Sequence, residues 1–165
     1  MTAVLDATAG GKHIWHPESE DADRVVFADR RALSGLDLQP GWECRPDVRA
    51  DGRRLPFADK SFDLVCFDPP HRITDKGMET LSGVVEKKYG ALRAESWQSD
   101  LRRAFGECWR VLRRGGTLTV KWAAVHADHD EVLDLAPAAP LYGAATDKGD
   151  SDSRWWVFHR PRQPD

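Results

Sequence analysis

The sequence predicts an α/β domain built on a mostly parallel sheet, with its ligand-binding edge at the carboxyl ends of the strands. Three stretches predict it. Phe62-Asp63-Leu64-Val65-Cys66-Phe67 reads as a strand buried on both faces, which is the habit of parallel sheets. It runs straight into Asp68-Pro69-Pro70-His71, where two prolines forbid further ladder pairing, so Asp68 sits at a strand end, where open α/β sheets bind ligands. Trp97, Leu101, Phe105, Cys108, Trp109 and Leu112 recur at three- and four-residue steps, predicting an amphipathic helix over 96–113 that Gly115-Gly116 stops.

The other elements follow in chain order. Ala3-Val4-Leu5 is a short first strand that opens into Asp6-Ala7-Thr8-Ala9-Gly10-Gly11-Lys12, a glycine turn able to bring backbone N–H groups close to a ligand. The acidic stretch 12–23, interrupted by Pro17, leaves room for one or two helical turns, and His13 and His16 face a metal less readily than they face water. Arg24-Val25-Val26-Phe27-Ala28 is a second strand ending at Asp29, 19 residues beyond Gly10. That interval matches the roughly 20 residues that place an acid on a ribose, and Asp29 suits equally an N-cap for a segment beginning at Arg30.

A weak apolar stretch around Trp42 precedes Asp51-Gly52-Arg53-Arg54-Leu55-Pro56-Phe57. Residues 72–94, with Lys76, Lys87, Lys88 and Tyr89, form a segment long enough to be a lid or binding loop. Arg102, Arg103, Arg110, Arg113 and Arg114 read as a solvated helix face. Thr117 to Trp122 is a β-branched strand, 130–135 a short helix ended by Pro137 and Pro140, and 141–145 with 155–159 an antiparallel hairpin; the tail after Arg160 reads as frayed.

A chain of 165 residues is one domain by length, spanning 1–165, and 41% hydrophobic content suffices for a single core. The net charge of −3, from 24 basic and 27 acidic residues, sets up no global field toward a polyanion or a membrane, so local patches must carry any such partner. Cys44, Cys66 and Cys108, odd in number and widely spaced, suit reduced thiols in a cytoplasm better than a disulfide or zinc framework. No leader pattern and no membrane-length apolar run stands out, which makes a cytoplasmic protein without membrane contact the expectation.

Taken together, Val4-Leu5-Asp6-Ala7-Thr8-Ala9-Gly10-Gly11, Asp29, Asp51 to Phe57, Ser61 to Val65 with Asp68-Pro69-Pro70, and Arg110-Val111-Leu112-Arg113-Arg114-Gly115-Gly116 resemble class I S-adenosylmethionine (SAM) dependent methyltransferases. The match runs in order through 4–122, and the terminal hairpin fits that family's sheet. The resemblance implies a Rossmann-like, seven-stranded, mostly parallel sheet with an antiparallel last strand and helices on both faces. It implies that Asp6, Ala7 and Gly10 border the methionine end of SAM, that Asp29 accepts from the ribose hydroxyls, and that Asp51 with Gly52 reads the adenine amino edge. A carboxylate suits both of those acceptor roles. A dinucleotide reading fares worse, because the turn lacks the third glycine of that fingerprint.

Asp68-Pro69-Pro70-His71 resembles the Asp-Pro-Pro-aromatic motif of amino methyltransferases acting on adenine N6 or cytosine N4. An exocyclic base amine is a poor nucleophile because its lone pair is delocalised. The resemblance implies that Asp68 and the Pro69 carbonyl accept its two N–H hydrogens, so that positioning and electrostatics lower the barrier. His71 departs from the usual stacking Tyr, Phe or Trp, which leaves a small-molecule acceptor, or His71 as general base, open. Lys88 and Tyr89, with Lys121 and Trp122 at the same sheet edge, are candidate acceptor contacts, and a duplex acceptor would have to be flipped out. With no target-recognition segment before the first strand, the expected partners are DNA or RNA, a free nucleoside or small molecule, a second copy of the chain, or an active subunit that an inactive SAM-binding chain would position.

Overall fold

The computed structural model describes residues 2–16, 24–36, 39–81, 83–146 and 152–162. In chain order its elements are β1 (Val4–Asp6), β2 (Val25–Asp29), β3 (Leu33–Leu36), β4 (Gln39–Cys44), β5 (Val48–Arg49), β6 (Phe62–Phe67), β7 (Ile73–Thr74), α1 (Val84–Tyr89), β8 (Leu92–Arg93), α2 (Trp97–Val111), β9 (Leu112–Ala123), α3 (His129–Leu133), β10 (Tyr142–Thr146) and β11 (Ser153–His159). A seven-stranded sheet orders them β5-β2-β1-β6-β9-β11-β10. The first five of these run parallel, β11 returns antiparallel to β9, and β10 pairs antiparallel with β11. The chain moves outward from β1 to β2 and β5, then crosses back to β6 on the other flank of β1. The crevice of an open sheet lies at such a reversal.

Strand alternation decides which residues meet the helices. Leu5, Val65, Phe67, Leu118, Val120, Trp122 and Phe158 join one core with Leu101, Phe105, Cys108 and Val111 of α2 and Val132 of α3. Phe105 meets Phe67 edge-on at 5.3 Å. A smaller cluster of Val4, Val25, Phe27 and Ala9 is packed by Trp15, whose ring stands edge-on to Phe27, also at 5.3 Å. The two helices of the main core thus belong to one cluster. The expected turns of helix before β2 fall partly on 17–23, outside the described residues, while 12–16 form turns.

Four local expectations are corrected. Asp29 caps no helix, because the chain after it enters the antiparallel β3–β4 hairpin, whose Trp42, Cys44 and Leu33 gather with Val84 of α1. Helix α2 ends at Val111, short of Gly115-Gly116: Leu112 is fully buried and pairs with Phe62, so tertiary pairing starts β9 before the glycines. Arg110 is no solvated side chain. It donates to Glu107 and Asp59 and to the carbonyls of Leu55 and Phe57, clamping the 55–59 turn onto α2. Arg160, expected at the start of a frayed tail, donates to the Trp109 and Leu112 carbonyls and caps the end of α2.

The described residues of the expected lid or binding loop, 72–81 and 83–94, carry secondary structure of their own. β7 and β8 pair parallel with α1 between them, and the Ile73 N–H donates to His126 Nδ1 at 2.8 Å, tying the segment to the stretch after β9. No described helix is long and apolar enough to cross a membrane.

Candidate active site

The carboxyl ends of β1, β2, β5 and β6 border a cleft of about 290 Å³, closed on the far side by Tyr89, Ala91 and Leu92. Backbone bonds hold these strand ends together. The Ala7 N–H donates to the Cys66 carbonyl at 2.9 Å and the Ala9 N–H to Ala28 at 2.9 Å, while Thr8 Oγ1 accepts the Asp68 N–H at 2.8 Å. Gly10 adopts φ +50°, which lets its N–H turn back to Asp29 Oδ2 at 2.9 Å. Of the sequence-predicted residues, Ala7, Asp29, Asp51, Gly52, Asp68, Pro69, Pro70 and Tyr89 line the cleft. Asp6, Gly10, His71, Lys88, Lys121 and Trp122 stand outside its wall.

Asp29 ends β2 and Asp51 lies two residues beyond β5, the neighbouring parallel strand, and each is gripped by the arginine two residues on. Arg31 donates its backbone N–H to Asp29 Oδ1 at 2.8 Å, its Nε to the same oxygen at 3.0 Å and its Nη2 to Oδ2 at 3.0 Å. Arg53 repeats the pattern on Asp51 at 3.0, 2.9 and 2.6 Å, with a further bond to Asp100 at 2.9 Å. The Arg53 guanidinium holds the Asp51 carboxyl below the usual range. Sequence reading missed both arginines, although Asp-x-Arg occurs at both strand ends, and an acid that turns the chain locally is placed to bind the residue two positions on.

Asp6 is buried beneath the turn. Its Oδ1 accepts the Thr8 N–H at 3.0 Å and its Oδ2 the Trp15 indole N–H at 2.6 Å. Burial pushes its carboxyl up from 3.8 to about 7, against those two hydrogen bonds, and the negative neighbours Asp68 and Asp29 add to the rise. The structure thus gives Asp6 the inside of the turn and leaves the wall to Ala7 and Thr8.

At the tip of β6, Asp68 lies between two cationic or titratable side chains. His71 Nε2 is 3.1 Å from Oδ1 and Lys121 Nζ is 3.5 Å from Oδ2. The His71 approach is not aligned as a hydrogen bond, so Oδ1 of Asp68 and Nδ1 of His71 are both buried without a hydrogen-bond partner. A buried polar atom left without a partner asks for an explanation, and a catalytic role is one. Trp122, which the sequence leaves between acceptor contact and structural packing, is fully buried, donates to the Ala127 carbonyl at 3.0 Å and takes the His71 ring edge-on at 5.0 Å. It is a packing residue that orients His71. Lys88 lies with Nζ 5.1 Å from the centroid of the exposed Tyr89 ring, and His13 Nε2 accepts the Trp42 indole N–H at 2.9 Å.

No protein-family model matches the sequence, and no curated protein sequence does. Solved structures match along nearly the whole chain. The N-methyltransferase NodS from Bradyrhizobium japonicum is 14% identical with a TM-score of 0.60, over 98% of this chain and 86% of its own. A SAM-dependent methyltransferase from Methanosarcina mazei is 15% identical with a TM-score of 0.54, over 94% of this chain and 90% of its own. With the strand order above, this decides the architecture. The chain has the class I SAM-dependent methyltransferase fold. The methyltransferase fold also serves other chemistry, for the [4+2]-cyclase SpnF matches at 14% identity with a TM-score of 0.60, over 97% of this chain and 75% of its own. Which reaction a methyltransferase-like cleft performs is therefore a question for its side chains.

Proposed function

We propose that the chain is a SAM-dependent methyltransferase that acts on an exocyclic amino group of a nucleobase in DNA or RNA. The observation that carries the reading is the shared cleft: Asp29, Asp51 and Asp68 converge on it from the ends of β2, β5 and β6. The residues fit the cofactor. Asp51 accepts three hydrogen bonds and has room for the adenine amine, and the wall at Ala7 presents almost no side chain to the methionine end. SAM, when bound, supplies an electrophilic methyl on a sulfonium.

The protein's part is to position the nucleophile. The Asp68 carboxylate and the Pro69 carbonyl accept the two hydrogens of the amine, which favours a pyramidal nitrogen with its lone pair free. Lys121, 3.5 Å from Oδ2, and His71, 3.1 Å from Oδ1, flank the carboxylate, and Trp122 packs edge-on against His71. Thr8 holds the Asp68 backbone. After transfer the amine sheds one proton, and Asp68 with His71 beside it is the place to receive it. NodS, with the same fold, is an N-methyltransferase, which supports nitrogen as the acceptor.

One observation favours a second reading, a free nucleoside or small-molecule acceptor. His71 is turned onto Trp122 rather than into the cleft, so of the two aromatic rings that line it, buried Phe67 and exposed Tyr89, Tyr89 is the one placed to stack on a base. Incubating the full chain with tritiated-methyl SAM and DNA, RNA or nucleosides separates the readings. Label in a polymer supports the first and label in nucleosides alone the second. SAM binding without label in any pool indicates an inactive cofactor-binding subunit. Asp68→Ala is expected to abolish transfer while SAM affinity stays within about tenfold; wild-type turnover in that variant sinks the assignment.

A further inference from the structure

Asp29, the acid expected to hold the cofactor ribose, has no acceptor left to offer. Its Oδ1 takes the Arg31 N–H and Nε, and its Oδ2 takes the Gly10 N–H and Arg31 Nη2, four bonds of 2.8 to 3.0 Å. A carboxylate presents about four lone-pair sites. Asp51, bound by Arg53 in the same way, accepts three and is a third exposed, whereas the side chains of Asp29 and Arg31 are 5% and 10% exposed. Two of the bonds on Asp29 come from backbone amides that the turn fixes. The other two come from a guanidinium that can leave.

That guanidinium is held at its far end as well. Arg31 Nη1 donates to the Lys88 carbonyl at 2.8 Å and the Lys87 carbonyl at 3.2 Å, at the last turn of α1, where carbonyls lack helical partners and carry partial negative charge. Arg31 therefore bridges the ribose anchor and the segment that carries Tyr89. We propose that Arg31 is a positioning residue that competes with the cofactor ribose for Asp29, and that cofactor binding exchanges the guanidinium for the ribose diol. The inference rests on the reading of the cleft as a SAM site. Its consequence is that Arg31 lowers cofactor affinity while it keeps a buried acid paired and α1 tied to β2. Moving the rigid planar fork off Asp29 also moves Nη1 relative to α1, so the acceptor-side segment senses the cofactor.

The test uses the full chain with S-adenosylhomocysteine (SAH) as the probe. In ¹⁵N spectra the Arg31 Nε–H peak, assigned by its loss in Arg31→Lys, is expected to be protected from exchange before SAH is added. At saturation it shifts and exchanges with water at least tenfold faster. By calorimetry Arg31→Ala is expected to bind SAH at least fivefold more tightly than wild type. Arg31→Lys, whose single ammonium cannot fill both oxygens, shows a smaller gain and decides the matter should the alanine variant not fold. An unmoved Arg31 peak in SAH-bound wild type, or equal or weaker binding by a folded variant, overturns the inference. Wild type that binds neither SAH nor SAM overturns the SAM reading itself, a result distinct from the first.

Discussion

Replacing Asp6 by asparagine tests the least expected electrostatic feature of the fold. Asp6 has a folded pKa of about 7 against 3.8 unfolded, chiefly because burial penalises its charged form. Between about pH 4 and 7 the folded chain holds a proton that the unfolded chain has released, so raising the pH through this window favours unfolding. At about 1.4 kcal/mol per tenfold change in proton affinity, the full linkage is about 4 kcal/mol, present below pH 4 and gone above pH 7. Asp51, Asp63 and Glu107 are held below their usual range by arginine and backbone partners. Their stabilisation acts the other way, present above about pH 4 and lost as the pH falls through lower values, so the windows separate. Urea unfolding followed by fluorescence of the 7 tryptophans, from pH 4 to 8.5, gives both curves. Wild type is expected to lose several kcal/mol relative to Asp6→Asn across pH 4 to 7. Parallel curves for the two proteins refute the argument, since the variant has nothing to titrate at that position.

Two further substitutions probe the scaffold and the site. Arg160→Ala removes the donors that satisfy the Trp109 and Leu112 carbonyls and the contact of the guanidinium with the Trp109 ring, and is expected to cost about 2–3 kcal/mol in denaturant unfolding; a loss under a few tenths means the tail is as dispensable as its sequence suggests. Thr8→Val keeps the shape of the turn but leaves the Asp68 N–H without its 2.8 Å acceptor. Methyl transfer is expected to fall about tenfold or more with SAM affinity nearly unchanged, whereas an equal loss in both would place Thr8 with the cofactor instead of with Asp68.

What could be read from the sequence was whatever the local pattern determines. β6 and its ending at Asp68 follow from an apolar run and two prolines, α2 from a three- and four-residue stripe, and the β10–β11 hairpin from two β-rich runs around a turn. Asp6, Asp29 and Asp68 were also legible as strand-end acids, because each closes or follows an apolar run, whereas the stretch before Asp51 is too weakly apolar to show itself as a strand. What stayed hidden depends on partners far along the chain. Leu112 leaves the helix because Phe62 is there to pair with it. Trp15 reaches Asp6 across the turn. Arg110 is spent on a segment more than 50 residues away in sequence. Trp122 carries the composition of an acceptor wall and the burial of a core residue, and the alternation that decides between them is set by the helices packed on that face. The β3–β4 hairpin lies where apolar periodicity is weak and Trp42 finds its partners in His13 and Val84.

The site poses an electrostatic problem that the fold solves four times in different ways. Parallel strands with an acid at or just beyond each carboxyl end gather Asp6, Asp29, Asp51 and Asp68 at one sheet edge, where like charges raise each other's proton affinity. Asp29 is neutralised by Arg31, Asp51 by Arg53 with Arg30 at 3.7 Å, and Asp68 by Lys121. Asp6 has only an indole and an amide, both neutral donors, and it is the one whose carboxyl is driven up to about 7. A counter-cation or a proton is thus supplied to every acid before any ligand arrives. The counter-cations differ in how readily they yield: Arg53 leaves Asp51 an open lone pair, Lys121 stands off from Asp68 at 3.5 Å, and Arg31 with the Gly10 N–H fills Asp29. A ligand carrying an adenine amine, a ribose diol and a positive centre would meet an open acceptor first at Asp51 and would have to displace a partner at Asp29. On this electrostatic ground the adenine end is the natural point of entry, and settling the ribose is the step that costs most.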